Sequence, residues 1–184
     1  MSEFGVFLYA GFDHLAGLDG LDHILYLWVL SSCFVVLGWK KLLWMITGFT
    51  LGHSLSLLLS MVGWIFINPN VIEALIPLTI AFSAIWLLVR KPKSDWRILV
   101  LGTAAVGVIH GLGFSNFLSE IQSSNLLTSL LGFNLGLEIA QVCILLVFVG
   151  VQLLITKLTS TPQRTLGQWM NVLGVLGCLI LYII

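Results

Sequence analysis

The sequence predicts an all-α, polytopic membrane protein: a bundle of six transmembrane helices, preceded by a short N-terminal segment that is interfacial or re-entrant. Three observations predict it. The 184 residues are 59% hydrophobic and only 9% charged, against roughly 25% charged in an ordinary soluble domain. The mean hydropathy is +1.08. The apolar residues also fall into six runs, each close to the length of about 20 residues that covers a hydrocarbon core.

Residues 4–17 come first and are too short to cross. They lie in the interface or re-enter as a half-helix. The crossing runs follow at about 21–39, 42–62, 71–89, 97–118, 126–156 and 166–184. The fifth is long enough to tilt or to project from the bilayer. The links GWKK, NPN, RKPKSDW, SEIQSSN and TSTPQR hold most of the turn formers. No domain boundary and no convincing repeat is visible, so residues 1–184 read as one integral membrane domain.

Charge orients the runs. Lys40 and Lys41 follow the first. Arg90, Lys91, Lys93 and Arg97 follow the third, and Lys157 and Arg164 follow the fifth. All eight basic residues fall on one side, which the positive-inside rule makes cytoplasmic. Both termini and the NPN and SEIQSSN links then face outward. The net charge is zero and no basic block is present, which argues against nucleic acid as a partner. The N-terminus has no basic region ahead of its apolar residues, so no cleaved signal peptide is expected. Cys33, Cys143 and Cys178 lie far apart inside apolar runs and indicate neither a disulfide framework nor a thiolate metal site.

The polar residues in or beside the runs carry the chemistry. A charged side chain at a helix centre costs about 2.5–3.5 kcal/mol to insert. Yet the chain keeps His14, Asp22, His23, His53, Glu73, His110, Asn134 and Glu138. With about 1.5 Å of rise per residue, His53 lies roughly 13 Å and His110 roughly 12 Å from the outer end of its run. Glu138 reaches a similar depth from the start of the fifth run. His23 and Glu73 fall in the first turns of runs entering from outside. All therefore belong to the outer half.

Their spacing favours convergence. Asn134, Glu138 and Gln141 share one helical stripe. Thr50, His53 and Ser54 give the second run a polar side. Pro77 has no N–H for the Glu73 carbonyl. Gly107, Gly111 and Gly113 strip side chains from around His110, so a helix or a ligand can come close. A single membrane histidine is ordinarily an interhelical hydrogen-bond partner, but all four histidines and three carboxylates in one leaflet point to a shared metal or proton-handling site. Asp22 is a metal ligand or an N-cap; Asp13 and Asp19 read as solvated or capping. Imidazole and carboxylate without thiolate suit a divalent nickel, cobalt, zinc or iron ion.

The stretches GFDHLAGLDGLDHILYL, FTLGHSLSL, VIEALIPLTI, IHGLGF and FNLGLEIAQ, in that order, resemble the HupE/UreJ family of bacterial membrane proteins. They cover roughly residues 11–145. The resemblance implies a multi-pass protein of the bacterial cytoplasmic (inner) membrane that moves nickel or cobalt, with the polar positions above as its functional residues. Seven residues separate His14 from Asp22, where nickel permeases of this family have five, so the chain resembles a divergent branch.

Two readings follow. In the first, the protein is a divalent-metal permease. His14, Asp22 and His23 capture the ion, and His53, Glu73, His110 and Glu138 hold it deeper, with Asn134, Gln141, Ser54 and Gly111 in support. In the second, the same cluster serves a membrane-embedded metalloenzyme of hydrolase type, with Glu73 or Glu138 as general base. The inner halves of the runs contain no His, Asp or Glu, which leaves the permease without a continuous ligand ladder. Besides the lipid bilayer and the ion, a homo-oligomer stays open as a partner state.

Overall fold

The computed structural model describes residues 2–17, 20–89, 96–120 and 125–183, with the side chains of 35, 36, 114–120 and 183 left aside. Asp19, Arg90, Lys91 and Lys93 lie outside the described residues. Seven helices and no strand occur among those described. They are α1 (Glu3–Ala16), α2 (Leu21–Ser31), α3 (Phe34–Met61), α4 (Pro69–Val89), α5 (Trp96–Glu120), α6 (Leu126–Thr159) and α7 (Gln163–Ile183). Five of them, α3 to α7, are long and apolar enough to cross a membrane.

The expected first crossing, 21–39, is not one helix. α2 stops after 11 residues, about 16 Å, or half of a hydrocarbon core of about 30 Å. Ser31 donates its hydroxyl to the Trp28 carbonyl, and the Ser32 N–H bonds Val29, which tightens the last turn. Gly38 then takes φ 73° and ψ 173°, a conformation that only glycine adopts readily. There the chain turns into the long part of α3. Hydropathy runs through this corner unbroken, so composition hid it.

α1 does not lie flat on the bundle. Glu3 accepts hydrogen bonds from the Asn125 N–H and the Ser129 hydroxyl at the start of α6, both at 3.2 Å. Further along, Gly132 abuts Phe4 and Gly136 abuts the Leu8 carbonyl, so α1 follows α6 in the same sense. The GxxxG pair of α6 is the surface that admits α1, since apolar tails give helices no hydrophobic drive to associate and close backbone packing must supply it.

α2 runs against α7. Leu25 packs on Gly177, Val29 on Gly174 and Ser32 on Gly167. Trp28 Nε1–H donates to the Met170 carbonyl at 2.9 Å, and Asn171 Nδ2–H donates to Ser32 Oγ at 3.0 Å. α6 and α7 are joined by residues 160–162 and run in opposite senses, so α1 and α2 follow one another in a single direction. Gly20 fits beneath the last turn of α1, where a β-carbon would meet the His14 and Leu15 carbonyls.

α3 and α5 lie parallel in close backbone contact. Gly48 meets Val100, Gly52 meets Ala104, Gly107 meets Phe49 and Gly111 meets His53. Both helices begin at the end that carries Lys40, Lys41 and Arg97. The α6–α7 link, flanked by Lys157 and Arg164, reaches the same end through the contact of Ser32 with Gly167. The described basic residues therefore gather at one end of the bundle, as the charge pattern predicts.

Candidate metal centre

The break between α1 and α2 places the centre. His14 stands in the last turn of α1, while Asp22 and His23 open α2. The parallel pair α3 and α5 brings in His53 and His110 beside them. Ring centroids are 5.0 Å apart for His14 and His23, 5.7 Å for His23 and His53, 6.4 Å for His14 and His53, and 5.0 Å for His23 and His110. His14, His23 and His53 each offer a ring nitrogen, and these three atoms lie within 4.8 Å of one another. Three imidazole nitrogens so placed could hold a divalent 3d ion, which would keep further positions open.

Unpaired ring nitrogens would offset the cost of burying such an ion. His53 is 0% exposed, and neither of its ring nitrogens has a hydrogen-bond partner among the described residues. His23 Nε2 has none either. An unsatisfied buried donor or acceptor costs about 1–3 kcal/mol, more where no water can reach it. A bound cation takes the lone pairs that the fold leaves idle.

Asp22 sets the orientation. Its Oδ1 accepts from His23 Nδ1–H at 2.7 Å and from the His23 backbone N–H at 2.7 Å. With Nδ1 engaged, His23 turns its Nε2 lone pair toward the cluster, the arrangement of a carboxylate behind a metal-binding imidazole. Asp22 is therefore not the N-cap of α2; Gly20 holds that place, with no side-chain cap bond. His110 Nδ1–H donates to the Val106 carbonyl at 3.0 Å, and its Nε2 lies 4.0 Å from Asp22 Oδ2. His110 thus flanks the three-histidine group across the Asp22 carboxylate, with its ring against His23.

Two aromatic rings wall the cluster. Phe133 faces His14 at 5.9 Å and His53 at 6.3 Å. Phe49 faces His23 at 5.7 Å and His110 at 5.2 Å. The sequence reading left both out. Phe49 stands four residues before His53, one turn away on the same face, which is the signal that could have found it.

Not every expected residue converges. Glu138 accepts from Thr47 Oγ1 at 2.9 Å, and Gln141 Oε1 accepts from Thr50 Oγ1 at 2.9 Å. Thr47 precedes His53 by six residues, about 9 Å along α3 toward the basic end. Glu138 and Gln141 therefore form a second polar layer beyond the histidines. Asn134 Oδ1, one turn before Glu138, is buried with no hydrogen-bond partner among the described residues. Ser54 spends its hydroxyl on the Thr50 carbonyl of its own helix, at 2.6 Å. Gly111 serves by absence, lying against the His53 backbone. Glu73 is exposed on α4 and outside the metal-binding group. Pro77, one turn further along the same face, is buried where the helix packs, whereas Glu73, in the first turns of α4, is exposed.

A cavity of about 290 Å³ lies nearer the basic end, between α2, α3, α4 and α5. Tyr26, whose ring is 5.9 Å from that of His110, forms its wall toward the histidines. The rest of the lining is almost wholly apolar, and exposed Phe82 and Ile98 flank its opening.

An all-helical membrane protein with a buried histidine cluster able to hold a metal ion is the class that fold and site define. The chain belongs to the HupE/UreJ family: the family model described as HupE / UreJ protein matches residues 1–184, the whole chain. No curated protein matches it, and no solved structure does.

Proposed function

We propose that this protein is a divalent transition-metal permease of the nickel and cobalt type in the bacterial cytoplasmic membrane, and that the three-histidine group is where its cargo binds. The observation that carries this reading is the meeting of His14, His23 and His53 within 4.8 Å, in a chain whose family is linked to nickel and cobalt transport. α1 and α2, laid end to end, make a sixth, interrupted crossing. Transporters commonly bind their ions at such interruptions, near the bilayer midplane. The basic end faces the cytoplasm and both termini face out.

Each residue has a stated task. His14, His23 and His53 ligate the ion. Asp22 fixes the His23 ring, and His110 flanks the ion's entry to that pair. Phe49 and Phe133 exclude water, so the imidazoles are the ion's main partners. Reconstitution tests the reading. Vesicles holding the full chain should accumulate nickel(II) or cobalt(II), and vesicles holding His53→Ala should not. Stoichiometric binding in detergent without uptake in vesicles sinks the permease.

The apolar cavity beside Tyr26 favours one other reading, a metal-dependent hydrolase acting on a lipid-derived substrate that enters sideways. That reading predicts a tightly retained ion and no net uptake, with Glu138 as the general base.

A further inference from the structure

We propose that Gln152 is the relay by which the ion leaves the histidine centre toward the basic end, its amide oxygen taking the cation between Glu138 and the cytoplasm. This rests on the permease reading and adds a route to it.

Gln152 is 1% exposed. Neither its Oε1 nor its Nε2 has a hydrogen-bond partner among the described residues. Asn134 Oδ1 is unpaired as well, whereas Gln141 accepts from Thr50, and Asn171 donates to Ser32 Oγ and the Gly167 carbonyl. An unpaired amide in hydrocarbon is costly. A ligand that visits the position supplies the missing partner.

Its place on α6 fits a path. Gln152 follows Gln141 by 11 residues, which is about 20° from the same helical face and about 16 Å further toward the basic end. It thereby extends the stripe of Asn134, Glu138 and Gln141 into the half of the bundle that has no His, Asp or Glu. Trp28 packs on Phe148 with ring centroids 5.3 Å apart. One turn further along α2 and α6, which run in the same sense, lie the positions of Ser32 and Gln152. An amide oxygen is a weaker ligand than imidazole for a 3d ion, and a relay must bind weakly enough to release.

Between the two glutamines stand Leu145 and Val149, both buried. They form an apolar seal that passes an ion only when water enters. The carboxylate layer, the seal and the lone amide thus lie in series along one helix.

The test uses the full chain with nickel(II) as the probe. Gln152→Leu and Gln152→Met are compared with wild type for binding in detergent and for uptake into vesicles. The expected result is binding unchanged within about twofold, with initial uptake reduced about tenfold or more. Both variants should melt at or above the wild-type temperature, because an unpaired buried amide is removed; a melting temperature lowered in both would mark Gln152 as a structural residue and overturn the relay. Uptake at the wild-type rate in either folded variant also overturns it. Absence of uptake by wild type itself would fell the permease reading instead, so the two failures are distinguishable.

Discussion

His14 closes α1 and His23 opens α2, and their rings meet edge to face with centroids 5.0 Å apart. The two residues belong to different helices of one interrupted run, and the corner at Gly17 and Gly20 lets them face each other. His53 completes the group from α3.

Loss of any one of these ligands should abolish tight binding. His14→Ala, His23→Ala and His53→Ala are each expected to weaken nickel(II) or cobalt(II) affinity by more than about 100-fold, since even an outer partner of a ligand is worth about 10–100-fold. Titration calorimetry in detergent checks this. Near-wild-type affinity in His53→Ala would remove the three-histidine site.

Asp22→Asn keeps the shape of the side chain and removes its charge. It should weaken the ion by about 10–100-fold while leaving the binding stoichiometry unchanged. The absorption bands of bound cobalt(II) should shift, because His23 loses the carboxylate that orients it. Identical spectra and affinity would mean that Asp22 does not act on the ion through His23.

Glu73→Gln separates the tertiary structure from the sequence pattern. Glu73 is exposed on α4, so affinity should stay within about twofold, as for surface changes away from a site. A large loss would bring Glu73 into the centre, where the sequence reading had placed it.

Gly136→Leu attacks the support of the centre and none of its ligands. A β-carbon there meets the Leu8 carbonyl of α1, so the helix must move. The expected cost is about 1–3 kcal/mol, the range for overpacking, read as a lower melting temperature. Metal affinity should fall with it, because α1 carries His14. Unchanged affinity would detach α1 from the site.

Acid should release the ion. Imidazole binds metal only when neutral, and each ligand protonated must give up its proton before binding. Affinity should therefore be full at about pH 7.5 and fall as the solution is acidified. A flat profile on acidification would point to carboxylates as the main ligands.

The sequence by itself determined the bilayer as solvent, the apolar helices, the gathering of basic residues at one end and the residue types able to hold a metal. Those are properties of composition and order, and hydropathy and charge add up along a chain without regard to its path. Only the tertiary structure decided which groups stand close enough to share an ion. It broke the expected first crossing at Ser31 and Gly38 and made the N-terminal segment a partner of α6. It drew His14, His23 and His53 together, turned Glu138 to Thr47 and left Glu73 outside. Each of these depends on backbone angles at a few residues and on how far each helix is rotated about its axis. A rotation of a quarter turn changes no hydropathy value, yet it carries a side chain from the centre of the bundle to the lipid.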